Sequence, residues 1–318
     1  MKRRDLLGGL AAATGLGLIG CRAEPPPATL VDLRMACDPW CGYYVAVLAE
    51  ADGDFAREGL RVSMERSTTT DRMLAEFHAG RFDLVGASLG DFIPMAARGR
   101  DLGIVLSSDE SSGAGKVFRR RDFDPATSDR LRMGTDLNGF GEVFMREFLA
   151  QAGLGDREVQ WLHVDAADVG RALDDGQIDF GNCWEPYASA ITAAGHAEVF
   201  DSSRTPALVT QVLVAKRALI EGQPEALRGF CRAWFTAADR WLADPAGVGR
   251  RVEGLFGLVP GEGSLAGIRL HTREDNDRLL RGPSPAIVPV MQRYAEFHAS
   301  RGEAPGDLDF LLQGLVLP

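Results

Sequence analysis

The chain has 318 residues, 45% hydrophobic and 25% charged, with a formal net charge of −10. This fits a globular protein of about two compact units. With no basic run longer than Arg119-Arg120-Arg121, nucleic acid is excluded as a partner, and beyond the N-terminal segment no stretch is long and apolar enough to span a bilayer.

Residues 1–21, "MKRRDLLGGLAAATGLGLIGC", have a basic start, a Gly/Ala/Leu stretch from Leu6 to Ile19 and a small residue before Cys21. That is the layout of a secretory signal. "KRRDLL" resembles a twin-arginine signal, which a receptor reads. "LIGC" resembles a bacterial lipoprotein cleavage box, which implies that Cys21 is lipidated and starts the mature chain; a plain signal with an incidental Cys21 is the competing reading. Residues 22–28, "RAEPPPA", read as a proline-rich tether. The expected location is extracytoplasmic, on a membrane through the lipid at Cys21. Of the remaining thiols, Cys37, Cys41, Cys183 and Cys231, an oxidising compartment favours pairing. Cys37 and Cys41 are closest in sequence, and whether they join depends on the turn between them.

From Thr29 short apolar runs alternate with amphipathic stretches. "LVDLRMA", "LRVSME", "FDLVGAS" and "LGIVLSS" predict strands, with helices at "YYVAVLAEA", "TDRMLAEFHAG" and "DFIPMAARG". "LRMGTD", "VQWLHV" and "IDFGNC" continue the strands, separated by helices at "GEVFMREFLAQAG" and "DVGRALDDG". The alternation predicts parallel α/β units. An internal echo supports duplication: Gly80, Asp83 and Gly99 recur at the same spacing as Gly176, Asp179 and Gly195. In that register Ser88 corresponds to Trp184, both at the carboxyl end of a strand, where open α/β sheets place ligands. "ALVTQVLVAKR" predicts a strand crossing back from a second lobe. "EALRGFCRAWFTAADRWL" then puts Leu227, Phe230, Cys231, Trp234, Phe235, Ala238, Trp241 and Leu242 on one helical stripe, which reads as packing.

No catalytic or cofactor signature appears, and the glycines of "GTDLNGFG" lack dinucleotide-turn spacing. His78, His196 and His298 read as helix-surface or helix-end residues. Polar and aromatic residues instead gather at predicted strand ends: Asp38, Trp40, Tyr43 and Tyr44; Thr68 and Thr69; Ser88 and Asp91; Asp109 and Ser112; and, in the second unit, Asn138, Asp165, Asn182, Trp184 and Glu185. Aromatic faces with a few placed polar groups suit a small-molecule cleft. Asp91 and Asp165 read equally as helix N-caps, Tyr44 as core and the threonines as a cap. Trp40 and Trp184 are large rings at loop positions that need covering.

"DPWCGYYVAVLAEADGDFAREGLRV", "AEFHAGRFDLVGAS", "SSDESSGA", "RALDDGQIDFGNCWEPY" and "PEALRGFCRAWFTA" together resemble the solute-binding lipoproteins of ABC importers. The branch is the nitrate/taurine/alkanesulfonate type, which includes binders of thiamine-precursor pyrimidines. The resemblance implies an α/β, two-lobed periplasmic-binding fold of the two-crossover kind (type II), with a two-strand hinge and a helical C-terminal part. Lobe one is expected over 29–118 plus 210–318 and lobe two over 119–209. It implies binding at Trp40, Gly42 and Tyr43, at the "SSDESSGA" hinge and at Trp184-Glu185-Pro186. Trp184 would wall the cleft opposite Trp40 and Ser88, Glu185 would orient the ligand or lock closure, and Pro186 would set the helix start. The implied partners are a small solute and an ABC permease with its ATPase, for a monomer that is not an enzyme and needs no cofactor.

Cys37, Cys41 and Cys183 depart from the family pattern. They read as a disulfide plus a free thiol or, alternatively, a soft-metal site. Arg66 is the one basic residue at the predicted strand ends, against Asp38, Asp91, Asp109, Glu110, Asp165 and Glu185. Carboxylates and ring faces favour an amine or nitrogen heterocycle. A sulfonate, taurine or nitrate binder is the alternative, as is a pyrimidine-precursor enzyme on the same fold or a sensory lipoprotein without a transporter.

Overall fold

The computed structural model describes residues 30–67, 69–98, 101–137, 139–303, 306 and 308–318; Cys21, Thr68 and Asn138 lie outside the described residues. Lobe one opens with β1 (Val31–Cys37), α1 (Val45–Ala51), α2 (Asp54–Arg57), β2 (Leu60–Arg66), α3 (Thr70–His78), β3 (Leu84–Ser88), α4 (Leu89–Arg98) and β4 (Leu102–Ser111). The chain then crosses into lobe two: β5 (Lys116–Arg119), β6 (Arg130–Thr135), α5 (Phe140–Gln151), β7 (Glu158–His163), α6 (Val169–Asp174), β8 (Phe180–Cys183), α7 (Tyr187–Ala193) and β9 (Ala197–Asp201). It returns through β10 (Thr210–Lys216), α8 (Arg217–Gly222), α9 (Pro224–Ala243), α10 (Pro245–Phe256), β11 (Ile268–Leu270), α11 (Arg273–Leu280) and α12 (Val288–Ser300).

The strand orders are β11-β4-β10-β3-β1-β2 in lobe one and β7-β6-β8-β5-β9 in lobe two. Five positions of the first sheet match the whole of the second. β1 pairs parallel with β2 and β3, as β6 does with β7 and β8. β10 then runs antiparallel to β3 and β4, as β5 does to β8 and β9. β10 and β5 are each the first strand the chain builds after crossing over, and β11 adds a second antiparallel strand at the edge of the first sheet. The expected lobe boundary at 118 falls inside β5, which pairs wholly within the second sheet, so the crossing lies earlier, at 112–115. The predicted strands are all present. β5, β9 and β11 were not anticipated, being only four, five and three residues long and too short for a period to register.

The echo has a physical basis. Arg34 on β1 reaches across to Asp83 at the foot of β3, with Nε and Nη2 donating to the carboxylate at 3.0 and 2.9 Å and the Arg34 amide donating at 2.8 Å. Arg132 on β6 does the same to Asp179, at 3.1, 2.6 and 2.9 Å. Each guanidinium also donates to the carbonyl of the echoed glycine, Gly80 or Gly176. Both glycines have positive φ (84° and 65°), which ends the preceding helix without a Cβ clash.

The crossings are stitched by side chains. Ser111 Oγ and Ser202 Oγ lie 2.7 Å apart, and the amides of Gly113 and Gly115 donate to them at 2.8 and 2.9 Å. α9 packs its stripe into the main core, with Phe230 stacked on Phe55 at 5.1 Å. Leu242, expected on that stripe, is instead 40% exposed, although Trp241 beside it is fully buried. α12 reaches across to lobe two, pairing Arg293 with Glu147 and Arg301 with Glu142 on α5. No helix among the described residues is long and apolar enough to cross a membrane.

Candidate functional site

The carboxyl ends of the parallel strands of both sheets meet at one cleft. Trp40, just after β1, donates from Nε1 to Asp109 Oδ1 on β4 at 2.8 Å, and Ser108 Oγ donates to Asp109 Oδ2 at 2.8 Å. Gly42 lies against the same carboxylate, so close that a Cβ there would stand 2.1 Å from Oδ2. Tyr43 donates its hydroxyl to Gln211 Oε1 on β10 at 2.7 Å. From lobe two, Trp184 meets Trp40 edge to face, ring centres 6.3 Å apart at 75°, and packs on Phe140 at 5.5 Å. Two tryptophans from opposite lobes thus form a contact across the cleft.

Ser88, at the end of β3, donates to Asp91 Oδ2 at 2.8 Å, and Asp91 Oδ1 accepts the backbone N–H of Phe140 from lobe two at 3.2 Å. A cavity of about 710 Å³ opens beside this contact, between α3 and α4 of lobe one and the β6–α5 turn of lobe two. Its wall carries Thr70, Asp71, Asp91, Asp101 and Asp136 and, among the described lining residues, no Lys or Arg. The size is ordinary for a small-molecule site. At its rim Asp71, Asp136 and His163 place one ligand atom each within 4.8 Å of one another.

The electrostatics are those of crowded buried acids. Burial raises Asp109 to about 7, opposed by its bonds from Trp40 and Ser108. Burial raises Asp91 to about 6, opposed by Ser88 and Phe140. Asp136 is pushed to about 8 by burial and by Asp91, Asp71 and Asp165. Asp38, beside them, is driven well above the usual carboxylate range by burial, then by Asp91 and Asp109. It is 8% exposed, and its Oδ1 is buried with no hydrogen-bond partner.

The other expected site residues are placed differently. Glu185 is exposed, and its carboxylate accepts from Ser189 N and Oγ at 3.1 and 3.0 Å, in the first turn of α7. The Glu185–Pro186 bond is cis, and Pro186 immediately precedes α7. Tyr44 is core: it packs on Phe256 at 5.1 Å and takes a bond from Arg66 at 3.3 Å, which holds that cation against the two rings. Ser112 is exposed on the first crossing, where its amide donates to Gly267 O at 2.7 Å. Asn182 is buried within lobe two and donates to Lys116 O at 3.0 Å. Thr69 precedes α3 without capping it. Cys37, Cys41, Cys183 and Cys231 are free and buried, and among the described residues no cysteine belongs to a cluster able to hold a metal; Cys183 sits in the separate core of lobe two. His196 stands just beyond the end of α7 and His298 in the last turn of α12, as expected, but both are buried. Phe140, Asp136 and Gln211 were missed. Asp136 and Phe140 fall within "GTDLNGFG", where the glycine spacing drew attention away from the position itself, the end of a strand.

A buried Ser–His pair, Ser107 Oγ and His271 Nδ1 at 2.8 Å, has the wrong polarity for a nucleophile and its base. Arg269 Nη2 donates to His271 Nε2 at 3.2 Å, so Nδ1 carries the proton and donates to Ser107, whose own hydroxyl donates to Gln211 O at 3.0 Å. Burial and Arg269 lower His271 to about 3.

The topology and the interlobe cleft define a two-lobed α/β protein of the periplasmic-binding fold, and solved structures agree. The alkanesulfonate-binding protein SsuA of Xanthomonas axonopodis pv. citri, bound to MOPS, superposes with a TM-score of 0.70 at 17% identity, covering 88% of this chain and 96% of its own. The periplasmic nitrate-binding protein NrtA of Synechocystis PCC 6803 gives 0.64 at 11%, covering 90% and 86%. The desulfurization enzyme DSZB gives 0.64 at 14%, covering 90% and 96%. No curated protein matches the chain. The sequence model of the NMT1-like family matches residues 26–250, and the chain belongs to that family.

Proposed function

We propose that this chain is the extracytoplasmic solute-binding component of an ABC importer and that it captures a protonated amine or nitrogen heterocycle between its lobes. The observation that carries the ligand class is Asp38: a nine-tenths-buried carboxylate with an unpartnered oxygen, among further buried acids. An uncompensated buried acid is expensive, and a cationic solute supplies the missing charge. SsuA and NrtA, proteins of the same fold, bind anions by their names; the acid-rich cavity wall argues for the opposite charge here. Binding rather than catalysis is supported by the polarity of the Ser107–His271 pair. The signal and lipid box at Cys21 support export and membrane attachment.

The test is a thermal-shift and calorimetry panel of alkylamines, 4-aminopyrimidine, taurine and nitrate. A ligand at a hundred times its Kd stabilises by about 2.7 kcal/mol. A shift with amines or the heterocycle, lost in Asp38→Asn, supports the reading. A shift with taurine or nitrate alone keeps a binding protein but overturns the charge argument, and no shift with any probe defeats the proposed ligand class.

A further inference from the structure

We propose that Asp91 is an interlobe clasp: a carboxylate carried by lobe one that closes the cleft by capping the first turn of α5 in lobe two. The geometry is specific. Asp91 lies in the first turn of α4, and Ser88 fixes its Oδ2 at 2.8 Å, leaving Oδ1 to accept from Phe140 N, at the start of the twelve-residue α5, at 3.2 Å. A free helix N-terminus presents unsatisfied N–H groups and partial positive charge, and among the described residues α5 has no side-chain cap from its own lobe. Its cap therefore comes from the other lobe and exists only while the lobes are together.

The surfaces around this bond are cut to let it form. A Cβ on Gly139, the residue before α5, would stand 2.1 Å from Asp91 Oδ1. A Cβ on Gly90, next to Asp91, would stand 2.5 Å from the Tyr294 ring of α12 and 2.9 Å from the Phe140 backbone, so that glycine admits α12 as well as α5. Glycines on both sides of the seam thus allow the two helix starts to approach, and any larger residue at 139 would displace the carboxylate. The clasp also bears on ligand choice, in which respect it rests on the solute-binding reading: the protein brings its own anion to α5, so closure does not require one from the solute.

The test reads the ligand-free protein by small-angle scattering. Wild type is expected near the ~20 Å radius of gyration of a compact chain of this length. Asp91→Ala and Gly139→Ala are each expected to raise it, and the double variant no further than the larger single effect, since both break one contact from opposite sides. Variants as compact as wild type would overturn the clasp, because the α12 pairs to α5 would then suffice to hold the lobes. Expansion in Asp91→Ala but not Gly139→Ala would also overturn it, as a residue that merely caps α4 behaves that way. Should Asp91→Ala not fold, Gly139→Ala, which alters no residue of lobe one, decides the matter. A compact Gly139→Ala overturns the clasp but not the solute-binding reading, and a failed solute panel leaves the scattering result standing.

Discussion

Asp38 and Asp109 show how two buried acids in one cleft come to differ. Asp109 has its charge answered by Trp40 and Ser108, whereas Asp38 keeps an oxygen without a partner. Such a group is tolerated where a ligand completes it, and it burdens the empty protein. Asp38→Asn is therefore expected to stabilise the ligand-free protein at pH 8 by about 1–3 kcal/mol while weakening amine binding at least tenfold. Denaturant titration and calorimetry on the same variant check both halves; a destabilised variant would show that Asp38 is structural. Trp40→Phe preserves most of the ring contact and removes the bond to Asp109. It is expected to cost about 1–3 kcal/mol and to raise the Asp109 pKa above about 7, which NMR titration of the carboxyl would read.

At the scale of elements, the Arg–Asp clamps lock each parallel β–α–β unit in the same register. The two are not equally sheltered: the Asp179 side chain is 3% exposed and that of Asp83 27%. Breaking a buried pair leaves a stranded charge, while a more exposed pair is screened. Asp179→Ala is expected to cost about 3 kcal/mol and Asp83→Ala about 1, and equal losses in urea denaturation would refute that account. The echo of Gly80 and Asp83 in Gly176 and Asp179 was legible because each residue performs a local task at a fixed offset. Its arginine partners were not, since they lie on strands 49 and 47 residues away. β5 and β9 escaped notice for a related reason: they are short strands whose identity comes from the neighbours they pair with.

For the whole molecule, the cleft sets the dependence on pH. In the native state Asp91, Asp109 and Asp136 keep their protons to about pH 6, 7 and 8, and Asp38 shifts the same way; in the unfolded chain aspartates titrate near 4. Between those limits the native state binds more protons than the unfolded one, so stability is highest near pH 4–5 and falls as pH rises. The melting temperature of the ligand-free protein is expected to drop from pH 5 to pH 8.5, and a saturating cationic solute to flatten that slope. A rising profile over this range would mean that the four acids are ionised and compensated in the empty cleft.

Periodicity, turn residues and the strand-to-helix alternation were enough to determine the α/β class and the duplication, because these rest on local patterns, while the two-lobed plan was implied by the resemblance of several segments to a known family. Trp40 and Trp184 were marked for the cleft on local patterns too, as large rings at strand ends. Only the tertiary structure decided that the two rings meet, that Glu185 caps its own helix while Asp91 reaches the other lobe, and that Asp38 and Asp136 each keep a buried oxygen without a hydrogen-bond partner. Those outcomes depend on which groups are desolvated and what stands within about 3 Å of them, and in a chain that crosses twice between sheets those neighbours are set by residues far away in sequence.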